Sequence, residues 1–171
     1  MPAPAMHSLY VFSVWIHILA AIAWIGGMLF LVTVMVPLLR KPEMRAKAAE
    51  LFHVVGLRFR TVGWVALGLL VLTGITNLAF RGYSWAQVGN GQLFAGPFGH
   101  TLATKLVLVL ALLVLGVVHD FWLGPRATIL AREKPNSPER ERARKIASWM
   151  GRTSMLLALA VVALAVMLVR G

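Results

Sequence analysis

The chain has 171 residues, of which 59% are hydrophobic and 13% are charged. Soluble domains are about 45 to 50% apolar, so this composition excludes an ordinary soluble fold and indicates a protein that resides in lipid. The absence of cysteine excludes disulfides, thiolate metal ligands and cysteine catalysis.

The first predicted membrane helix runs from about Met6 to Leu39 in a stretch without charged residues. About 20 apolar residues suffice to cross the hydrocarbon core of a bilayer. Because no basic residue precedes the apolar run, we predict a retained helix that starts outside the cell rather than a cleaved signal peptide. His17 lies on this helix, and Trp24 follows on much the same face.

The second predicted helix ends near Phe80. It follows a basic connection in which Pro42 is suited to a first helical position, with helix already favoured over Arg45 to Phe52. The residues from Arg81 to Gly99 are rich in turn formers and aromatic side chains, and they predict an external loop at the level of the headgroups.

The third predicted helix begins near Phe98 and contains Lys105, His119 and Asp120. A break rich in proline follows it, and Ser137 before Pro138 predicts the cap and first turn of a long fourth helix.

Basic residues gather at the first and third connections, six at the one and eight at the other, out of 17 in the chain. The positive-inside rule therefore predicts both connections in the cytoplasm and both termini outside, in a bacterial-type inner membrane. We expect anionic lipid headgroups to neutralise the net charge of +11, and we expect no nucleic-acid partner. We expect one all-α domain over residues 1–171, an up-down bundle of four membrane helices. Its glycine-lined helices favour a homodimer.

Polar groups at membrane depth are costly and are therefore candidates for function. His17 and Lys105 lie at similar distances from the cytoplasmic ends of their helices, in the outer half of the bilayer. Antiparallel helices would place this imidazole and this amine at one depth, where the pair could flank a flat cofactor or a metal. Alternatively, His17 is a hydrogen bonder between helices, and Lys105 extends to the outer headgroups.

The remaining histidines offer further ligand sets. His119 and Asp120 form either an interfacial pair or, with His53, a second and inner site. His7 and His100 lie near the outer surface, where two imidazoles are a minimal set for copper or zinc.

Two stretches, RFRTVGWVALGLLVLTGITNLAF and FGHTLATKLVLVLALLVLGVVH, resemble the copper resistance protein D (CopD) domain. The opening WIHILAAIAWIGGMLFL is similar to the first helix of that group and of the HemJ-type protoporphyrinogen oxidases. In the second family a histidine of the first helix and a lysine of a later helix are required, and haem b is bound. The resemblance therefore implies cofactor contacts at His17 and Lys105, and His119 falls where that family often has a histidine.

Three hypotheses follow. The first is a haem b protein with His17 as axial ligand and Lys105 as second ligand or propionate partner, which passes electrons to a redox partner or acts on a small redox substrate near the outer leaflet. The second is copper transport or binding through His7, His17 and His100. The third is a structural or assembly subunit without a cofactor.

Overall fold

The computed structural model describes residues 4–133 and 137–170, and within these ranges the chain is helical or turn, without a strand. Four helical stretches are long and apolar enough to cross a membrane, which confirms the all-α fold and the number of spans. They cover Ala5–Leu39, Glu50–Phe80, Gly96–Leu130 and Pro138–Val169. The chain is thus a multi-pass membrane protein.

The first span is one helix with a local change of register. Helix α1 covers Pro4–Phe30, a π-helical segment that we call π1 covers Leu31–Met35, and α2 covers Val36–Leu39. Pro37 explains the change, because it has no N–H and its ring collides with the carbonyl four residues earlier. The helix accommodates the proline with a hydrogen bond of the π-helical type, in which the N–H of Val36 donates to the carbonyl of Leu31, five residues earlier.

The basic connection after α2 is short and begins with a 3₁₀ turn over Pro42–Met44. Helix α3 follows at once and covers Arg45–Phe80. The predicted helical start at Pro42, the early beginning of the second helix and its end at Phe80 are therefore confirmed.

The connection from Arg81 to Gly99, predicted as a loop, contains more helix than expected. It includes the short helix α4 over Trp85–Gly89 and a 3₁₀ turn over Gln92–Phe94. The Gln87 side chain accounts for the start of α4, because its Oε1 accepts the backbone N–H of Ser84 at 2.9 Å.

The third span shows the same proline effect as the first. Helix α5 covers Gly96–Val117, a second π-helical segment, π2, covers Val118–Leu123, and α6 covers Gly124–Glu133. Pro125 follows π2 by two residues, as Pro37 follows π1. Helix α7, Pro138–Arg170, forms the fourth span. Its cap is as predicted, because Ser137 Oγ accepts the backbone N–H of Arg140 at 3.1 Å.

The chain divides into two compact units, Met1–Asn90 and Gly91–Gly171. In the first, α1 packs against α3, and the rings of Tyr10 and Phe80 meet edge to face at 5.9 Å between centroids. The start of α1 thus lies beside the end of α3, as an antiparallel pair requires. In the second, α5 packs against α7, with Leu112 and Ala158 buried.

Candidate functional site

His17 is joined to the facing helix α3 by a short hydrogen bond. Its Nδ1 lies 2.7 Å from Oγ1 of Thr73, a residue that is only 7% exposed. The Thr73 hydroxyl donates its own proton to the backbone carbonyl of Leu69 at 2.5 Å. A hydroxyl has one proton, so toward His17 it accepts, which favours the tautomer with the proton on Nδ1. In the neutral imidazole the lone pair is then on Nε2, the atom with which such a histidine binds a metal.

His17 therefore forms a hydrogen bond between two helices, which was one of the two predicted roles. This bond is compatible with the other role, that of a cofactor or metal ligand. Histidines that bind metals usually donate their second ring N–H to a fixed acceptor, which holds the ring orientation and increases its basicity. Thr73 is placed to do this.

Small residues on α3 make room for the two large side chains of α1. A Cβ added to Gly74 would lie 3.7 Å from Cε1 of His17, and one added to Gly63 would lie 3.6 Å from Cδ1 of Trp24. His17 and Trp24 thus both face α3, which confirms their predicted common face. The glycines allow this close approach of the two helices.

Further polar contacts lie between His17 and the end of the unit where α1 begins. One turn away, Ser13 Oγ and Thr76 Oγ1 are 3.1 Å apart. Beyond them, Arg81 Nε donates to the Tyr10 hydroxyl at 3.5 Å. These contacts align α1 with α3 at this end and so help to fix the height of His17 against Thr73.

Asn77 lies one turn beyond Thr73 on α3. Its Oδ1 is inaccessible to solvent and has no hydrogen-bond partner within residues 4–133 and 137–170. An unsatisfied acceptor at this depth costs about 1–3 kcal/mol. Asn77 Oδ1 is therefore available to accept a hydrogen bond from a further donor.

The other histidines of the first unit do not join His17. His7 and His53 are both exposed on their helices. His53 precedes Thr73 by 20 residues on α3, and the rise of a helix puts about 30 Å between the two levels. The predicted copper set of His7, His17 and His100 and the inner site that includes His53 stay predictions.

The second unit carries the remaining candidates. Lys105 is half-buried on α5, and His100 is exposed one turn before it. His119 and Asp120 lie in π2, where Nδ1 of the histidine is 2.9 Å from Oδ1 of the aspartate. The two side chains thus form a pair, and its position at the membrane interface stays a prediction. Since Lys105 belongs to this unit and His17 to the other, their pairing around a cofactor stays a prediction.

Thr73 is not predicted from the sequence, because threonine is common in membrane helices, where its hydroxyl bonds to the preceding turn. The one available signal is its position next to Gly74 in the first stretch that resembles the CopD domain. Among the described side chains, no three of His, Cys, Asp and Glu gather into a metal-binding group.

Comparisons with known proteins are consistent with this architecture. The sequence pattern of the family described as copper resistance protein D matches residues 53–168. An uncharacterized protein of Aquifex aeolicus (strain VF5) is 32% identical over 163 residues, which cover 94% of each chain. No solved structure matches the chain. The matched family region begins within α3, so it includes Thr73 and Lys105 but not His17.

Proposed function

The chain belongs to the copper resistance protein D family, and on that premise we propose that this membrane protein binds haem b, with His17 as an axial ligand, and transfers electrons. The observation that carries the proposal is the hydrogen bond of 2.7 Å between His17 Nδ1 and Thr73 Oγ1. It orients the ring and favours the tautomer with the proton on Nδ1, as is usual for histidines that bind metals.

The contact between His17 and Thr73 supports such a group. The porphyrin supplies four of the iron ligands itself, so a single well-oriented imidazole suits haem better than a bare ion that takes all its ligands from the protein. When bound, haem b supplies a one-electron couple. The role of the protein is to orient the imidazole through Thr73 and to surround it with apolar helix surface. Burial in that surface would set the reduction potential of the haem. Lys105 is proposed as a second ligand or a propionate partner.

We also propose a place and an orientation for the protein. The basic residues at the first and third connections favour the bacterial cytoplasmic membrane with both connections in the cytoplasm. His17 then lies in the outer half of the bilayer. Electrons would be exchanged with a partner or small substrate on that side.

The test is an absorption spectrum of the detergent-purified protein produced in cells that make haem. We expect a Soret band that is lost in His17→Ala and retained in the matched control His7→Ala, which removes an exposed imidazole from the same helix. A wild-type protein without a Soret band, or a band that persists in His17→Ala, would refute the proposal.

Copper binding is the second candidate, and the family description favours it. Metal analysis of the same preparation separates the two functions. A colourless protein with stoichiometric copper that is lost in His17→Ala would replace haem with copper. A preparation with neither chromophore nor copper that copurifies with a respiratory complex would favour an assembly subunit instead.

A further inference from the structure

A groove of about 540 Å³ lies in the second unit, where π2 and α6 meet α7. Val118, Trp122, Leu123 and Arg126 line it from π2 and α6, and Ile146 and Met150 line it from α7. Five of these six side chains are apolar. Among the described residues, the groove is thus lined mainly by apolar side chains, with one cation in its wall.

The cation is Arg126. Within residues 4–133 and 137–170, no carboxylate forms an ion pair with its guanidinium, and no carboxylate lines the groove. From Val118 to Arg126 the helix rises about 12 Å, so the groove leads from apolar side chains to a positive charge near the end of the third span. An arginine that has no ion-pair partner in the described part of the chain favours, in this position, an anion that also carries an apolar chain.

Two tryptophans mark the same end of the unit as the membrane interface. Trp122 and Trp149 are 76% and 66% exposed, and the guanidinium of Arg152 lies 5.6 Å from the ring of Trp149. Tryptophan is enriched where the hydrocarbon core meets the headgroups. The groove therefore opens at the depth where a phospholipid changes from acyl chain to phosphate.

We propose that this groove is a binding site for an anionic phospholipid, with the phosphate on Arg126 and an acyl chain between Val118 and Met150. Basic pockets between membrane helices are suited to such headgroups. The apolar lining favours a lipid over free phosphate. Among the described residues, the wall has one cation and no carboxylate to neutralise a choline or ethanolamine group, so it favours an anionic lipid over a zwitterionic one.

The experiment compares spin-labelled phosphatidylglycerol with spin-labelled phosphatidylcholine on the full chain, reconstituted in vesicles of phosphatidylcholine. Electron paramagnetic resonance reports the fraction of each lipid that the protein immobilises. We expect the wild type to prefer phosphatidylglycerol and Arg126→Gln to lose about fivefold of that preference, the equivalent of about 1 kcal/mol for one basic residue at the surface.

Lys145→Gln is the matched control, because it removes an equal charge from a 70% exposed side chain on α7 that does not line the groove. It should lose clearly less preference than Arg126→Gln. Equal losses in the two variants, or a wild type without preference, would overturn the proposal, since either result would mean unspecific attraction to the basic surface.

A second pair of variants tests the groove itself. Met150→Trp fills the groove and should lower the selectivity, whereas Leu156→Trp, at an exposed position farther along α7, should leave it unchanged. Equal selectivity in both would overturn the proposal. The chain has no cysteine, so Met150→Cys also reports on another occupant. Disulfide-linked dimers in vesicles would assign the groove to a second copy of the chain and overturn the lipid site.

Discussion

Replacing Thr73 with valine tests the link between the helix pair and the proposed ligand. Valine keeps the shape of threonine but has no oxygen, so His17 loses the acceptor that lies 2.7 Å from its Nδ1. The carbonyl of Leu69 also loses the threonine hydroxyl, but it keeps its place in the backbone ladder of α3. The substitution therefore acts mainly on the orientation and basicity of the imidazole.

Two known effects give the expected loss of haem affinity in Thr73→Val. Hydrogen bonds between membrane helices contribute about 0.6 kcal/mol on average and up to about 1.7 kcal/mol. Loss of the partner that orients a metal ligand lowers metal affinity about 10- to 100-fold, or about 1.4 to 2.7 kcal/mol. The two ranges overlap near 1.5 kcal/mol, so we expect Thr73→Val to weaken haem binding about tenfold.

The assay is the rate of haem transfer from the detergent-purified protein to apomyoglobin, followed in the Soret region. The midpoint potential should rise as well, because an imidazole that no longer donates from Nδ1 is a weaker electron donor to ferric iron. A merely structural role for Thr73 does not predict that shift.

Thr76→Val is the control, because it removes the hydroxyl that contacts Ser13 one turn away but not the partner of His17. Equal haem retention and equal potential in the Thr73→Val and wild-type proteins would refute the reasoning. Equal effects of the two valine variants would assign Thr73 to helix packing alone.

Four further substitutions probe the packing of α1 against α3 and the cap of α7. A Cβ at Gly27 collides with the ring of Phe59, so Gly27→Ala should destabilise the protein by about 1–3 kcal/mol; unchanged thermal unfolding would contradict this packing. Gly74→Ala should retain haem, because its Cβ makes an ordinary contact of 3.7 Å with His17, whereas Gly74→Leu should lose it; equal Soret intensities would oppose this. Ser137→Ala removes a helix cap and should cost about 1 kcal/mol in unfolding, and no change would argue against the cap.

Hydropathy and charge predicted the coarse architecture because the bilayer imposes strong constraints on length and composition. The four spans, the cap at Ser137 and the end of the second helix at Phe80 could all be read from local sequence. The helix α4 could not, since five residues of mixed polarity carry little periodic signal. It depends on contacts between the Gln87 side chain and Ser84.

The candidate site was predictable only in part. His17 stood out because an imidazole is rare among apolar residues, and Trp24 followed from helical periodicity. Thr73 did not stand out, since its role depends on which helix faces α1 and at what height, and a single sequence does not contain that register. The pairing of His17 with Lys105 rests on counting residues from the helix ends and stays a prediction.

The two π-helical segments have a consequence for how related sequences should be compared. A π-helical segment accommodates one residue more than regular helix. The residues before and after π1 can therefore continue on the same helix face despite Pro37. A relative without that proline should manage with one residue fewer between His17 and Leu39. An alignment of such relatives should therefore place its single-residue gaps within Leu31–Met35, and within Val118–Leu123 where Pro125 is replaced.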